Sequence, residues 1–162
     1  MGLSVPRRTG RAIAEIIGAK DVPEQRKMDQ HVLVVSCVEY YSDLKAIPSD
    51  KVFAAFERAG FLTMILDSQK LFPEMGIDFY IGMVDGLTHL ESDSDVGENN
   101  HHEERSALAA AVVAMLMKKH KLDALEGCKM YYHSKAAVEV SNERTNFYKK
   151  SAQDIFNLIE AE

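Results

Sequence analysis

Apolar residues recur at three- and four-residue intervals through segment after segment of this chain. Each segment is closed by glycine, proline or a run of small polar residues. That spacing places the apolar groups on one face of a helix, and few other local structures use it. Pro48-Ser49-Asp50 opens one such segment, Val52, Phe53, Phe56 and Ala59 share its face, and Gly60 stops it. Leu62, Ile65 and Leu66 continue on a second helix to Leu71, which Pro73 ends. Ile77, Tyr80, Ile81, Val84 and Leu87 predict a helix reaching about Leu90, and Gly82 and Gly86 on it are either spaced for a close helix contact or incidental.

The same grammar covers the flanks. Thr9 is placed to cap an amphipathic stretch from Arg11 to Ile17, closed by Gly18. Asp21 before Pro23 predicts the next start, with Met28, Val32, Val35 and Val38 following to about Leu44. Val32-Leu33-Val34-Val35 is also rich in β-branched residues, so a strand is the alternative there. Helix is preferred because the neighbouring segments keep its period and no partner strand is evident. Later, Leu108, Val112, Met115 and Leu116 mark an Ala-rich helix to about His120. Asp123 caps a helix carrying Leu125, Cys128 and Tyr132, Ser141 to Asn146 is turn chemistry, and Ser151 with Asp154 starts a last helix. The expectation is an all-α bundle of seven to eight short helices in two small modules. Its divisions are an N-terminal extension (1–22), an acidic helical module (23–90), a polar linker (91–102) and a C-terminal helical module (103–162).

The chain has 162 residues, enough for folding to bury roughly 70% of the extended surface. Apolar residues make up 46% and charged residues 27%, which excludes global disorder and a collagen-like repeat. Two cysteines, Cys37 and Cys128, argue against a disulfide scaffold and for a reducing compartment. The longest apolar stretch, Ala107 to Met117, is about half of what spans a bilayer. Arg7, Arg8 and Arg11 are not followed by a signal-peptide core, and Pro6 stands where a myristoylation signal has Ser or Thr. The cytoplasm is the expected location, without membrane association.

The net charge of −6 is unevenly placed. Residues 1–30 carry +2, residues 31–104 carry −10 and residues 105–162 carry +2. An acidic middle repels a phosphate backbone and disfavours nucleic acid on that face. A lysine strip (Lys118, Lys119, Lys121, Lys129, Lys135, Lys149 and Lys150) is the alternative DNA-binding surface, against the plainer reading of a solvated face.

Few residues point to chemistry. His101-His102-Glu103-Glu104 concentrates metal-capable side chains and places His101 and Glu104 on one helix face, but the spacing lacks a four-ligand zinc pattern. Cys37 and His31 lie six apart, on different helix faces, and the thiol sits among valines as a core residue would. Tyr131 and Lys135 have the spacing of short-chain dehydrogenases without the glycine-rich loop that chemistry requires. Asp78 and Asp85, seven apart, lack the contrasting environments of an acid–base pair. No cofactor, metal or catalytic set is expected, and a small enzyme is the last alternative.

The stretch from His31 to Glu91 also carries a resemblance. Its residues are Val35-Ser36-Cys37-Val38-Glu39-Tyr40-Tyr41, Ile47 to Val52, Phe56-Glu57-Arg58-Ala59-Gly60, Gly76 to Ile81 and Val84-Asp85-Gly86-Leu87. This resembles a family of small bacterial all-helical domains of unknown function, found beside ADP-ribosyltransferase-like toxins in toxin–antitoxin-like loci. Where that family has Leu-His-Thr before its last helix, this chain has Phe72-Pro73-Glu74. Ser134-Lys135, Thr145-Asn146-Phe147-Tyr148, Ser151 and Ile155 to Glu162 resemble a second small helical module from similar loci. The resemblance implies a non-catalytic, antitoxin-like protein partner whose acidic residues Asp78, Asp85, Glu91, Asp93 and Asp95 meet a basic toxin surface. Helical pairs with apolar faces often complete their cores by dimerising, so a homo-oligomer is a further expectation.

Overall fold

Asp29 stands in extended backbone (φ −61°, ψ 147°), and its carbonyl accepts the first helical hydrogen bond, from Leu33 N at 2.9 Å. From there the computed structural model describes residues 28–87 and 101–162. Helix α1 is Gln30–Lys45, α2 Ser49–Ala59, α3 Phe61–Leu71 and α4 Ile77–Asp85. After residues 88–100 come α5 (His102–His120), α6 (Ala124–Tyr132), α7 (Lys135–Ser141) and α8 (Ala152–Glu160). Two 3₁₀ turns, Glu143–Thr145 and Phe147–Lys149, join α7 to α8. The fold is all-α: among the described residues no strand forms.

Val32–Val35 therefore belongs to a helix. Its β-like run has a packing cause, since α1 is covered by α2, α4, α5 and α6 and buries Leu33, Val34, Val35, Cys37, Val38 and Tyr41. A helix covered on most sides is apolar around its circumference and loses the one-faced pattern. Two boundaries need correction. The helix carrying Val32, Val35 and Val38 begins at Gln30, after an extended Asp29, and so leaves out Met28; the expected start at Asp21 lies outside the described residues. Helix α4 ends at Asp85, with Gly86 and Leu87 in a turn, and does not continue towards Leu90. The predicted stretch from Thr9 to Gly18 and the linker from Glu91 to Asn100 lie outside the described residues.

Helix ends follow their local chemistry. Asp123 and Glu126 form a reciprocal capping box at α6, with side-chain to backbone bonds of 2.8 and 3.0 Å. Ser151 caps α8 through Asp154 N at 3.1 Å, and Gly60 closes α2 at φ 77°, a conformation that favours glycine. Two ends are capped from a distance. Glu143 accepts from His101 N at 3.2 Å at the start of α5, and Glu162 accepts from Lys135 N and Ala136 N at 3.0 and 3.1 Å at the start of α7.

Helix α5 packs along α1 and carries α6 and α8 on its other sides, so helices from both sides of residues 88–100 share one apolar core. In its centre lies a polar knot. Glu39 on α1 is 2% exposed and Arg105 on α5 is fully buried. Glu39 Oε1 accepts from Arg105 Nε at 2.9 Å and from Ser49 Oγ at 2.6 Å, and its Oε2 accepts from Tyr132 Oη at 2.7 Å. Arg105 Nη1 reaches Glu143 Oε2 at 2.5 Å. Four helices and the turn after α7 thus converge on one ion pair.

The glycine pair makes no close helix contact, and of its two readings the incidental one holds. A Cβ built at Gly82 meets nothing within 4 Å, and at Gly86 only carbonyls of its own helix, at 3.5 and 3.7 Å. The close approach is at Gly127, where a Cβ would stand 2.6 Å from Met117 Cγ and 3.2 Å from Val113 Cγ1. Gly127→Ala is expected to destabilise the protein by about 1–3 kcal/mol through overpacking, outweighing the roughly 1 kcal/mol that helix propensity returns. Urea unfolding measures the sign.

The two adjacent tyrosines of α6 make a sharper comparison. Tyr132 donates to the buried carboxylate, whereas Tyr131 Oη, also buried, has no hydrogen-bond partner among the described residues. Tyr132→Phe is expected to cost about 1.5–3 kcal/mol, the range for a bond to a charged group, and Tyr131→Phe to be neutral or slightly stabilising. Equal losses in urea midpoints would contradict this assignment.

Candidate functional site

Helices α3 and α4 form a shoulder of the bundle. They pack chiefly on α1 and α2 and not on the helices after residue 101. Between them runs the turn Phe72-Pro73-Glu74-Met75-Gly76. Leu71 closes α3, and Pro73, which has no N–H to donate, stands two residues beyond it. The turn is fixed from inside: Tyr80 Oη donates to Phe72 O at 3.0 Å, Met75 N donates to Phe72 O at 3.2 Å, and the Phe72 and Phe79 rings lie 5.5 Å apart. Yet Leu71, Phe72 and Met75 are 74%, 45% and 47% exposed. Three large apolar side chains are thus exposed within five residues of one fixed turn, a local concentration that marks interaction surfaces more often than scattered single residues do.

Acidic groups border the patch. Asp78 is exposed in the first turn of α4, where the helix dipole favours a carboxylate, and Glu74 is exposed in the turn itself. Among the described residues, neither has an ion-pair partner. Asp67, one turn back from Leu71, is matched by Lys70 at 3.7 Å. Asp85, two turns beyond Asp78, is differently placed. Lys45 Nζ lies 3.1 Å from its Oδ1, and Tyr41 Oη donates to the same oxygen at 3.1 Å. These contacts hold the Asp85 carboxyl below its ordinary range, the Lys45 bond contributing most and the Tyr41 bond next. Asp85 is thus engaged within the fold, and Asp78 is open. Glu91, Asp93 and Asp95 lie outside the described residues.

The other candidates are mostly turned inward or matched. Burial pushes the Cys37 and Cys128 thiols up to about 12, so neither is a thiolate near neutral pH. Tyr131 is buried while Lys135 is exposed on the next helix. His101 and Glu104 do share a face, at 3.0 Å, whereas His102 turns away to Asp43 at 3.2 Å. Among the described residues no three His, Cys, Asp or Glu side chains are grouped to hold a metal ion, and no helix is long and apolar enough to cross a membrane. In the lysine strip, Lys119 pairs with Glu160 at 2.6 Å and Lys129 with Glu57 at 3.7 Å. Lys149 and Lys150 lie over the Tyr148 and Phe147 rings at 5.8 and 5.0 Å. Four of the seven lysines are thus engaged by acids or aromatics of their own chain, and Lys118, Lys121 and Lys135 have no such partner among the described residues.

Two features escaped the sequence reading. The exposed corner had a signal, three large apolar residues around a proline in a turn. The Glu39–Arg105 knot had only a weak one, a charged residue inside the apolar run of α1, and the separation of 66 positions hid its partner. Compared with protein-family models, curated proteins and solved structures, the chain has no match.

Because the folded Asp85 carboxyl lies below its ordinary 3.8, its contribution to stability is complete above that value and disappears as pH falls through the lower, folded value. Asp85→Asn should therefore lower the urea midpoint near neutral pH, and the gap to the parent protein should close as pH drops below about 4. A gap that stays constant down to about pH 2 would show that this carboxylate is not the group responsible.

Proposed function

We propose that this chain is a non-catalytic protein-binding module whose partner docks on the α3–α4 corner. The observation that supports it is the exposed trio Leu71, Phe72 and Met75 beside the open carboxylates Glu74 and Asp78. Affinity in protein interfaces comes mainly from a few well-packed apolar anchors, and bordering charges set encounter rate and register. Methionine suits such a surface because its unbranched, polarisable side chain adapts to the partner. The resemblance to domains beside ADP-ribosyltransferase-like toxins makes a toxin encoded nearby the specific partner. In that form the module neutralises by covering the toxin's active site. The partly engaged lysine strip favours this reading over a DNA-associated regulator.

The test is capture by the tagged, full-length protein from its source lysate at low and moderate salt, with bound protein and nucleic acid both identified. A double variant, Phe72→Ser with Met75→Ser, runs in parallel. One stoichiometric protein held by the parent chain and lost by the variant supports the proposal. Nucleic acid released as salt rises moves the function to the lysine strip. A protein retained equally by both chains places the docking surface elsewhere.

A further inference from the structure

We infer that the partner presents the α3–α4 corner with a segment that is apolar and basic on one face, as a basic amphipathic helix is. This rests on the protein-binding reading and names the chemistry of what binds. The apolar half follows from Leu71, Phe72 and Met75, which stand outward although the turn that carries them is pinned to Tyr80 and Phe79. A turn fixed from within does not fold its exposed side chains away, so the patch is preorganised and little ordering cost remains for binding.

The basic half follows from charge. Between Phe61 and Leu87 the chain carries Asp67, Glu74, Asp78 and Asp85 against one cation, Lys70. Lys70 and Lys45 are committed to Asp67 and Asp85. That leaves Glu74 and Asp78 as charges flanking the turn with no ion-pair partner among the described residues. An acidic segment meeting them suffers like-charge repulsion, and a neutral one leaves them without a counter-charge. A lysine- or arginine-bearing segment pairs with them while its apolar residues cover Phe72 and Met75. The composition of the segment agrees, since residues 31–104 carry −10 in all.

One competing occupant is nearby. Gln69 Nε2 donates to Met28 O at 2.6 Å, two positions before Leu71, and the sequence ahead of Met28 contains Arg7, Arg8 and Arg11 with Ile13, Ile16 and Ile17. The experiment separates it from a partner.

Fluorescence anisotropy of the full-length protein with three synthetic amphipathic helices of equal length decides the matter. The probes pair leucine with lysine, glutamate or glutamine. The leucine–lysine helix is expected to bind, weakening as salt rises, and the leucine–glutamate helix to bind at least about tenfold less tightly. Glu74→Lys with Asp78→Lys should invert that preference, and Phe72→Ser with Met75→Ser should abolish binding. Circular dichroism and urea midpoints check that these surface variants stay folded. No binding of the lysine helix overturns the inference, and so does binding unchanged in the serine variant. Equal binding of all three probes overturns the charge requirement while the protein-binding reading stands. Binding that appears only in a chain with Ile13, Ile16 and Ile17 changed to Asp assigns the corner to the chain's own N-terminal stretch. Self-association that disappears in the serine variant assigns it to a second copy. Either result replaces the inference.

Discussion

The bundle depends on one buried ion pair, Glu39 with Arg105. An isolated carboxylate or guanidinium in an apolar interior is costly, and this pair is tolerable only because its hydrogen bonds are supplied from several directions. Glu39 takes donors from α2, α5 and α6, and Arg105 passes its charge on to Glu143, which is 20% exposed. Each donor sits on a different element, so the pair is satisfied only when those elements are in register. An apolar core of the same volume would tolerate sliding among similar valine and alanine faces. The polar knot requires a single arrangement.

Glu143 extends that constraint to the start of α5. The same carboxylate oxygen that meets Arg105 Nη1 also accepts from His101 N. The first turn of the longest described helix is therefore capped by a residue 42 positions away, and His101 itself stacks on Tyr148 at 4.5 Å. The reentry of the chain after residues 88–100 is tied to the turn between α7 and α8. The shoulder formed by α3 and α4 lies away from the knot, which allows its corner to carry exposed apolar groups without weakening the centre.

Much of this was legible in the residues. Helix class, the Gly60 stop, the Asp123 capping box and the Ser151 start all arise from neighbours within four positions, where spacing and cap chemistry act directly. The start of α1 and the end of α4 were less legible. Pro23 offered a plausible first turn and Leu87 a continuing period, but boundaries respond to packing that periodicity does not report. For the same reason Gly82 and Gly86 left open a close contact that falls instead at Gly127. A glycine's value depends on what stands opposite it.

The candidate surface divides in the same way. Acidity of the middle segment is a property of composition, visible without a fold. That Asp85 is matched by Lys45 while Asp78 is open depends on how α1 and α4 lie together. The sequence by itself determined that this chain is helical, where most helices stop, and that its middle third is acidic, because those properties are set by residues within a turn or two of one another. Tertiary structure alone decided that Glu39 meets Arg105, that Glu143 caps α5, and that Leu71, Phe72 and Met75 face outward. Those outcomes depend on which faces of distant helices are pressed together, and apolar faces of similar size do not declare their partners in advance.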